Sequence, residues 1–117
     1  MTALILVEDD DFKARAATRI AARAGLEPVV RAVSLEEATE LLQRFESERP
    51  KVLTDWQFPA LTGGPPEDGM GRHVVALARE LGLDVRVFSG RDVPEYGYAD
   101  IWFDVQGING LNEWLRH

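Results

Sequence analysis

The chain has 117 residues and a formal net charge of −7 at pH 7. This length fits one domain over residues 1–117 with a hydrophobic core of its own. The absence of cysteine excludes disulfide and thiolate chemistry. The acidic balance argues against direct nucleic-acid binding, and no apolar run reaches the roughly 18 residues that a membrane span requires. We therefore expect a cytoplasmic protein without a nucleic-acid or membrane partner.

Short apolar runs alternate with helical patterns from one end of the chain to the other. Strands are predicted over residues 4–7, 29–33, 52–54, 85–88 and 101–105. Helices are predicted over residues 12–24, 35–45, 72–81 and 109–115. Alternation of this kind, with apolar strands, predicts an α/β fold whose doubly wound parallel sheet carries helices on both faces. Ligands of such sheets bind beyond the carboxyl ends of the strands.

Local signals mark the starts and faces of these helices. Phe12, Ala16 and Ile20 share one face of the first helix by spacing. The segment Ser34-Leu35-Glu36-Glu37 is a capping box that begins the second helix, and Asn109 is expected to cap the last helix.

Four polar residues follow the carboxyl ends of three predicted strands: Glu8, Asp9, Asp55 and Ser89. Carboxylates that converge on one edge repel each other unless a cation lies among them, and a hard oxygen cluster suits Mg²⁺. Asp55 is then a plausible nucleophile toward a phosphoryl group, since a carboxylate can form an acyl phosphate. Ser89 would donate a hydrogen bond to that group. Asp10 and Asp11 are interpreted instead as a solvated acidic start to the first helix.

Three segments carry a resemblance to a known family: residues 4–10 (LILVEDD), 52–59 (VLTDWQFP) and 85–90 (VRVFSG). In this order and at this spacing they resemble the receiver domain of two-component response regulators, over essentially the whole chain. The resemblance implies a flavodoxin-like receiver fold with five parallel strands in the order 2-1-3-4-5.

The resemblance also implies a metal site for Mg²⁺ or Mn²⁺. Asp9 matches the direct metal ligand, and Glu8 matches the acid that acts largely through water. Asp55 matches the phosphorylated aspartate and second ligand, and the backbone carbonyl of Gln57 matches the third. Ser89 matches the hydroxyl residue that contacts the phosphoryl group, although Ser89-Gly90 is also an ordinary turn. Phe103 lies where the family places a switch aromatic, although an aromatic residue on a strand is more often simply part of the core.

The sequence departs from the family at the lysine that ends the fifth strand. Gln106 aligns with that position, and the chain's only lysines are Lys13 and Lys51. Lys51 begins a strand at the far end of the sheet. Lys13 or Arg91 is therefore our hypothesis for a surrogate, with the reservation that arginine is not equivalent to lysine.

Two further departures concern loops. The segment from Gly90 to Asp100 is too short for the family's fourth helix, so that helix is expected to be short or replaced by a loop. The Gly/Pro-rich loop between Pro59 and Gly71 is longer than usual and is either a functional element beside the site or a tolerated insertion.

The leading functional hypothesis is a phosphoacceptor that receives its phosphoryl group from a histidine kinase or a phosphotransfer protein. It would signal to a downstream protein target by contact, and homodimerisation is left open. Such a domain is not an enzyme beyond self-phosphorylation from small phosphodonors and autodephosphorylation. The alternative is a degenerate pseudo-receiver that acts as an unphosphorylated interaction module. A small metal-dependent phosphohydrolase is disfavoured, because Gln57 stands where a second acid would be needed.

Overall fold

The computed structural model describes residues 1–89 and 105–117. Its strands are β1 (Leu4–Val7), β2 (Val29–Ala32), β3 (Lys51–Thr54), β4 (Phe58–Pro59), β5 (Pro66–Glu67) and β6 (Val85–Val87). Its helices are α1 (Asp11–Arg23), α2 (Leu35–Phe45), α3 (Gly71–Glu80) and α4 (Val105–Leu115), with a 3₁₀ turn at Glu46–Glu48. None of the helices in this part of the chain has the length and apolarity that crossing a bilayer requires.

The main sheet contains four parallel strands in the order β2-β1-β3-β6. Val7 pairs with Ala32 on one side and with Thr54 on the other, so the strands end nearly level. Since β6 is the fourth predicted strand, this confirms the predicted order 2-1-3-4. The predicted fifth strand lies outside the described residues, apart from Val105. That residue belongs to α4 and not to a strand.

Both faces of the sheet are covered by helices, as predicted. Side chains alternate along β1, so Ile5 and Val7 pack with α2 and α3 while Leu4 and Leu6 pack with α1 and α4. All four are fully buried, which explains why this strand is a continuous apolar run without the alternation of a half-exposed strand.

The structure adds a detail to the first helix and corrects the predicted start of the last one. The buried face of α1 consists of Ala14, Ala17 and Ala21, whereas Phe12 is 74% exposed. The helix begins at Asp11 with Asp10 as its cap, so small alanines face the sheet and Phe12 lies outside the contact. The last helix begins at Val105, four residues before Asn109, because apolar and neutral residues of segment 105–108 continue its pattern.

The predicted Ser34 cap of α2 is confirmed, while the Glu37 side chain binds one residue earlier than a capping box predicts. The Ser34 hydroxyl accepts a hydrogen bond from the Glu37 backbone N–H at 3.1 Å, and Glu37 Oε1 accepts one from the Val33 N–H at 3.2 Å. The first bond satisfies a backbone donor that the first turn of a helix leaves without a partner. The second binds the residue before the cap, whereas in a standard capping box the glutamate accepts the N–H of the cap residue itself.

The Gly/Pro-rich segment is more ordered than the predicted loop. Strands β4 and β5 form a short antiparallel hairpin, and its connection is fastened to the start of α2. The Thr62 hydroxyl lies 2.8 Å from the Ser34 hydroxyl and also donates to Glu37 Oε2, and the Glu36 N–H donates to the Ala60 carbonyl at 3.0 Å. These tertiary bonds form between segments far apart in sequence, so local turn signals do not reveal them.

Candidate functional site

The sheet delivers acidic residues to one edge. Glu8 follows β1 directly and Asp55 follows β3 directly. Ladder hydrogen bonds continue through both residues: the Glu8 N–H donates to the Ala32 carbonyl at 3.0 Å, and the Asp55 N–H donates to the Val7 carbonyl at 2.9 Å. The two side chains are therefore positioned by the sheet itself, which is more rigid than a free loop.

A cavity of about 360 Å³ opens at this edge. It is lined by Glu8, Asp9, Asp10, Lys13, Asp55, Gln57, Pro66 and Ser89. The sequence-predicted site residues among the described ones therefore lie around one space. Lys13 was expected nearby and is confirmed there, whereas Pro66 comes from the hairpin and was not anticipated.

The carboxylates of Glu8, Asp9 and Asp55 form a compact group. Each offers one oxygen, and these oxygens all lie within 4.8 Å of one another. Glu8 is fully buried; its Oε1 accepts the Asp10 N–H at 3.0 Å, but its buried Oε2 has no hydrogen-bond partner among the described residues. A buried carboxylate oxygen left in this way is costly, and a hard cation among the three carboxylates would satisfy it. The residues present therefore fit a divalent metal ion.

The electrostatics of the metal-free pocket agree with this fit. Burial, together with the charges of Asp55 and Asp9, raises the pKa of Glu8 to about 9. Burial also raises the pKa of Asp55, while the Trp56 N–H and the Lys13 charge act in the opposite direction. Without a cation, a proton takes the place of a positive charge at Glu8.

The orientation of Asp55 is fixed by its own backbone surroundings. Its Oδ1 accepts the Trp56 N–H at 2.7 Å, and its carbonyl accepts the Thr54 hydroxyl at 2.9 Å. Gly71 packs against the same turn, and its N–H donates to the Trp56 carbonyl at 3.1 Å. A Cβ at Gly71 would lie 2.4 Å from the Asp55 carbonyl oxygen. Only glycine fits there, and the sequence offered no signal beyond a glycine at the start of a helix.

Arg31 is a second residue that the sequence analysis missed. Its Nε donates to the Glu8 carbonyl at 2.8 Å, and its Nη1 forms a 2.8 Å ion pair with Asp11. This side chain therefore ties β2 to the turn that carries Glu8 and to the first turn of α1. An arginine inside a predicted strand gives no hint of such a role.

The remaining predicted residues have different outcomes. Ser89 is buried at the cavity wall, and Gln57 lines the cavity; the metal role of the Gln57 carbonyl and the phosphoryl contact of Ser89 stay predictions. Phe103 and Arg91 lie outside the described residues. Gln106 lies in the first turn of α4, so the described backbone does not place it at the end of a strand.

Comparison with known proteins gives structural neighbours only. No protein-family model and no curated protein matches the chain. The response regulator PhyR from Brucella abortus matches with a TM-score of 0.67 at 22% identity, over 94% of this chain and 45% of that one. The chain therefore spans less than half of PhyR.

Two shorter neighbours match over most of their length. The signal receiver domain of NarL from Mycobacterium tuberculosis gives a TM-score of 0.58 at 21% identity, over 93% of this chain and 77% of that one. The pseudo-receiver domain of the CikA protein gives 0.53 at 20% identity, over 95% and 97%. The chain has the α/β fold of response-regulator receiver and pseudo-receiver domains.

Proposed function

We propose that this chain is a phosphoacceptor receiver domain in which Asp55 takes a phosphoryl group from a histidine kinase or a phosphotransfer protein. The observation that carries the proposal is the trio of Glu8, Asp9 and Asp55, of which Glu8 and Asp55 are buried, with Glu8 Oε2 lacking a hydrogen-bond partner among the described residues. The domain then acts as a cytoplasmic signalling module whose output passes to another protein by contact.

The metal of this proposal is Mg²⁺, held by Asp9 and Asp55 with Glu8 near it and the Gln57 carbonyl as a third protein ligand. When bound, such an ion supplies charge neutralisation for the transferred phosphoryl group. The small cavity leaves room for water and one phosphoryl group beside the carboxylates, which suits an ion that keeps several waters.

The main role of the protein in this reaction is to position the reacting groups. A carboxylate oxygen of Asp55 attacks the phosphorus of a phosphohistidine, and a P–O bond forms as the P–N bond breaks. The electron pair of the broken bond passes to the imidazole nitrogen, which takes up a proton from solvent. The Trp56 N–H keeps Asp55 oriented. Ser89, which is buried at the cavity wall, donates a hydrogen bond from its hydroxyl to a phosphoryl oxygen.

The test is exposure to a small phosphodonor. Acetyl phosphate with Mg²⁺ is expected to add about 80 Da, the mass of one phosphoryl group, to the intact chain. Asp55→Asn should abolish the gain, whereas Asp84→Asn should retain it, because Asp84 pairs with Lys51 at the other end of the sheet. Mg²⁺ should also change the fluorescence of Trp56, which is buried next to Asp55.

A second candidate is the pseudo-receiver, which keeps the fold and the acids but is not phosphorylated. It is favoured by the likeness to the CikA pseudo-receiver domain and by the absence of a lysine anywhere after Lys51. This candidate predicts no mass gain with acetyl phosphate in the presence of Mg²⁺, whatever the fluorescence of Trp56 shows.

A further inference from the structure

The acidic cavity contains a lysine that comes from the first helix. Among the described residues that line it, four are acidic and Lys13 is the cation. Lys13 lies in the first turn of α1, where the Asp10 carboxylate caps the helix by accepting the Lys13 backbone N–H at 3.0 Å. The backbone of this lysine is thus fixed next to the site by the same acidic run that supplies Glu8 and Asp9.

The positive charge of Lys13 shares the cavity with both buried carboxylates. Lys13, Glu8 and Asp55 all line this space, and one oxygen each of Glu8, Asp9 and Asp55 lies within 4.8 Å of the others. Lys13 therefore lines the space in which a cation stabilises negative charge at the proposed nucleophile.

The other lysine of the chain is committed elsewhere. Lys51 Nζ lies 3.1 Å from Asp84 Oδ2 and 4.9 Å from the centre of the Trp114 ring. It stands at the first residue of β3, whereas Asp55 follows the last. A lysine that acts at Asp55 must therefore be Lys13.

Phosphorylation increases the negative charge inside the cavity. An aspartyl phosphate replaces the single charge of Asp55 with close to two, in a cavity that already holds Glu8, Asp9 and Asp10. A bound divalent cation offsets part of this charge, and a further cation within the cavity offsets more.

We propose that Lys13 binds the phosphoryl group on Asp55, so that a residue of α1 stabilises the phosphorylated state. This inference rests on the proposed function. Because Asp11 pairs with Arg31 and Arg31 binds the Glu8 carbonyl, the first turn of α1 is already joined to β2. Phosphorylation then changes the surroundings of the Lys13 side chain and of the first turn of α1.

The test uses Mg²⁺ and beryllofluoride, a mimic of the phosphoryl group, on the full chain. Lys13→Gln is expected to weaken beryllofluoride binding at least tenfold, while Lys13→Arg, which keeps the charge, stays closer to the parent. Lys51→Gln is the matched control and should change binding less than twofold. Backbone amide shifts on adding the mimic should appear at residues 10–14 in the parent and diminish in Lys13→Gln.

Mg²⁺ binding without the mimic separates a specific role from damage to the site. Removing a cation from an acidic cavity should leave Mg²⁺ affinity unchanged or raise it; a disrupted site would bind both ligands less well. If Lys13→Gln does not fold, Lys13→Met, which keeps the length of the chain stem, replaces it. Unchanged beryllofluoride affinity in the uncharged variant overturns the inference, as does a tenfold loss confined to Arg91→Gln.

Failure of the proposed function looks different. A parent chain that binds Mg²⁺ but neither binds beryllofluoride nor gains mass from acetyl phosphate overturns the phosphoacceptor proposal, and the role of Lys13 with it. A parent chain that binds the mimic, with Lys13→Gln equal to it, overturns the role of Lys13 alone.

Discussion

The buried Glu8 carboxyl makes the stability of the metal-free protein depend on pH. Its pKa rises from an ordinary value of 4.5 to about 9 in the fold, so between these values the folded chain holds a proton that the unfolded chain has released. A raised folded-state pKa stabilises the fold fully below pH 4.5, and this contribution is lost as pH rises toward 9. The free energy of unfolding should therefore fall by up to about 1.4 kcal/mol per pH unit, or about 3 kcal/mol between pH 6 and pH 8.

Urea unfolding in EDTA, followed by far-UV circular dichroism at pH 6, 7 and 8, measures this slope. Glu8→Gln removes the ionisable group at nearly constant volume, so its stability should vary much less over this range. Saturating Mg²⁺ should stabilise the parent chain more at pH 8 than at pH 6, because the ion displaces the proton. A parent slope equal to that of Glu8→Gln would refute the assignment of the buried proton to Glu8.

Three further substitutions test the packing that holds the site, each by urea unfolding. Gly71→Ala should lower the free energy of unfolding by about 3 kcal/mol, because its Cβ would meet the Asp55 carbonyl oxygen at 2.4 Å. The control Gly63→Ala, at φ 87° in open space, should lower it by only about 1 kcal/mol. Equal losses would contradict the predicted clash. Ser34→Ala removes the cap of α2 and the contact with Thr62, so the free energy of unfolding should fall by about 1–2 kcal/mol. A change near zero would disprove the role of the cap. Leu42→Ala empties a fully buried position between α2 and the sheet, at a cost of about 2–5 kcal/mol; a cost below that range would mean that the core closes around the gap.

The sequence predicted the parts of the fold that depend on local patterns. The apolar run of β1 and the helix cap at Ser34 each carry their own signal, and both are confirmed. The gathering of Glu8, Asp9 and Asp55 also follows from pattern, because parallel strands end at one edge of a sheet.

The missed features depend on contacts between distant segments. The shared helix face of Phe12, Ala16 and Ile20 does not indicate that Ala14, Ala17 and Ala21 are the residues that α1 buries. The hairpin that brings Pro66 to the cavity is fastened through Thr62 to Ser34.

Two features of the site itself were likewise hidden. Gly71 leaves space for the backbone of Asp55, and Arg31 donates a hydrogen bond to the carbonyl of Glu8. A sequence pattern does not predict contacts of this kind with backbone atoms of a distant segment.

The most direct test of the central claim is the intact mass of the chain after incubation with acetyl phosphate. A phosphoacceptor at Asp55 predicts one added phosphoryl group in Mg²⁺, none in EDTA and none in Asp55→Asn, with Asp84→Asn equal to the parent. No added mass in Mg²⁺, or an equal gain in Asp55→Asn, would contradict the account.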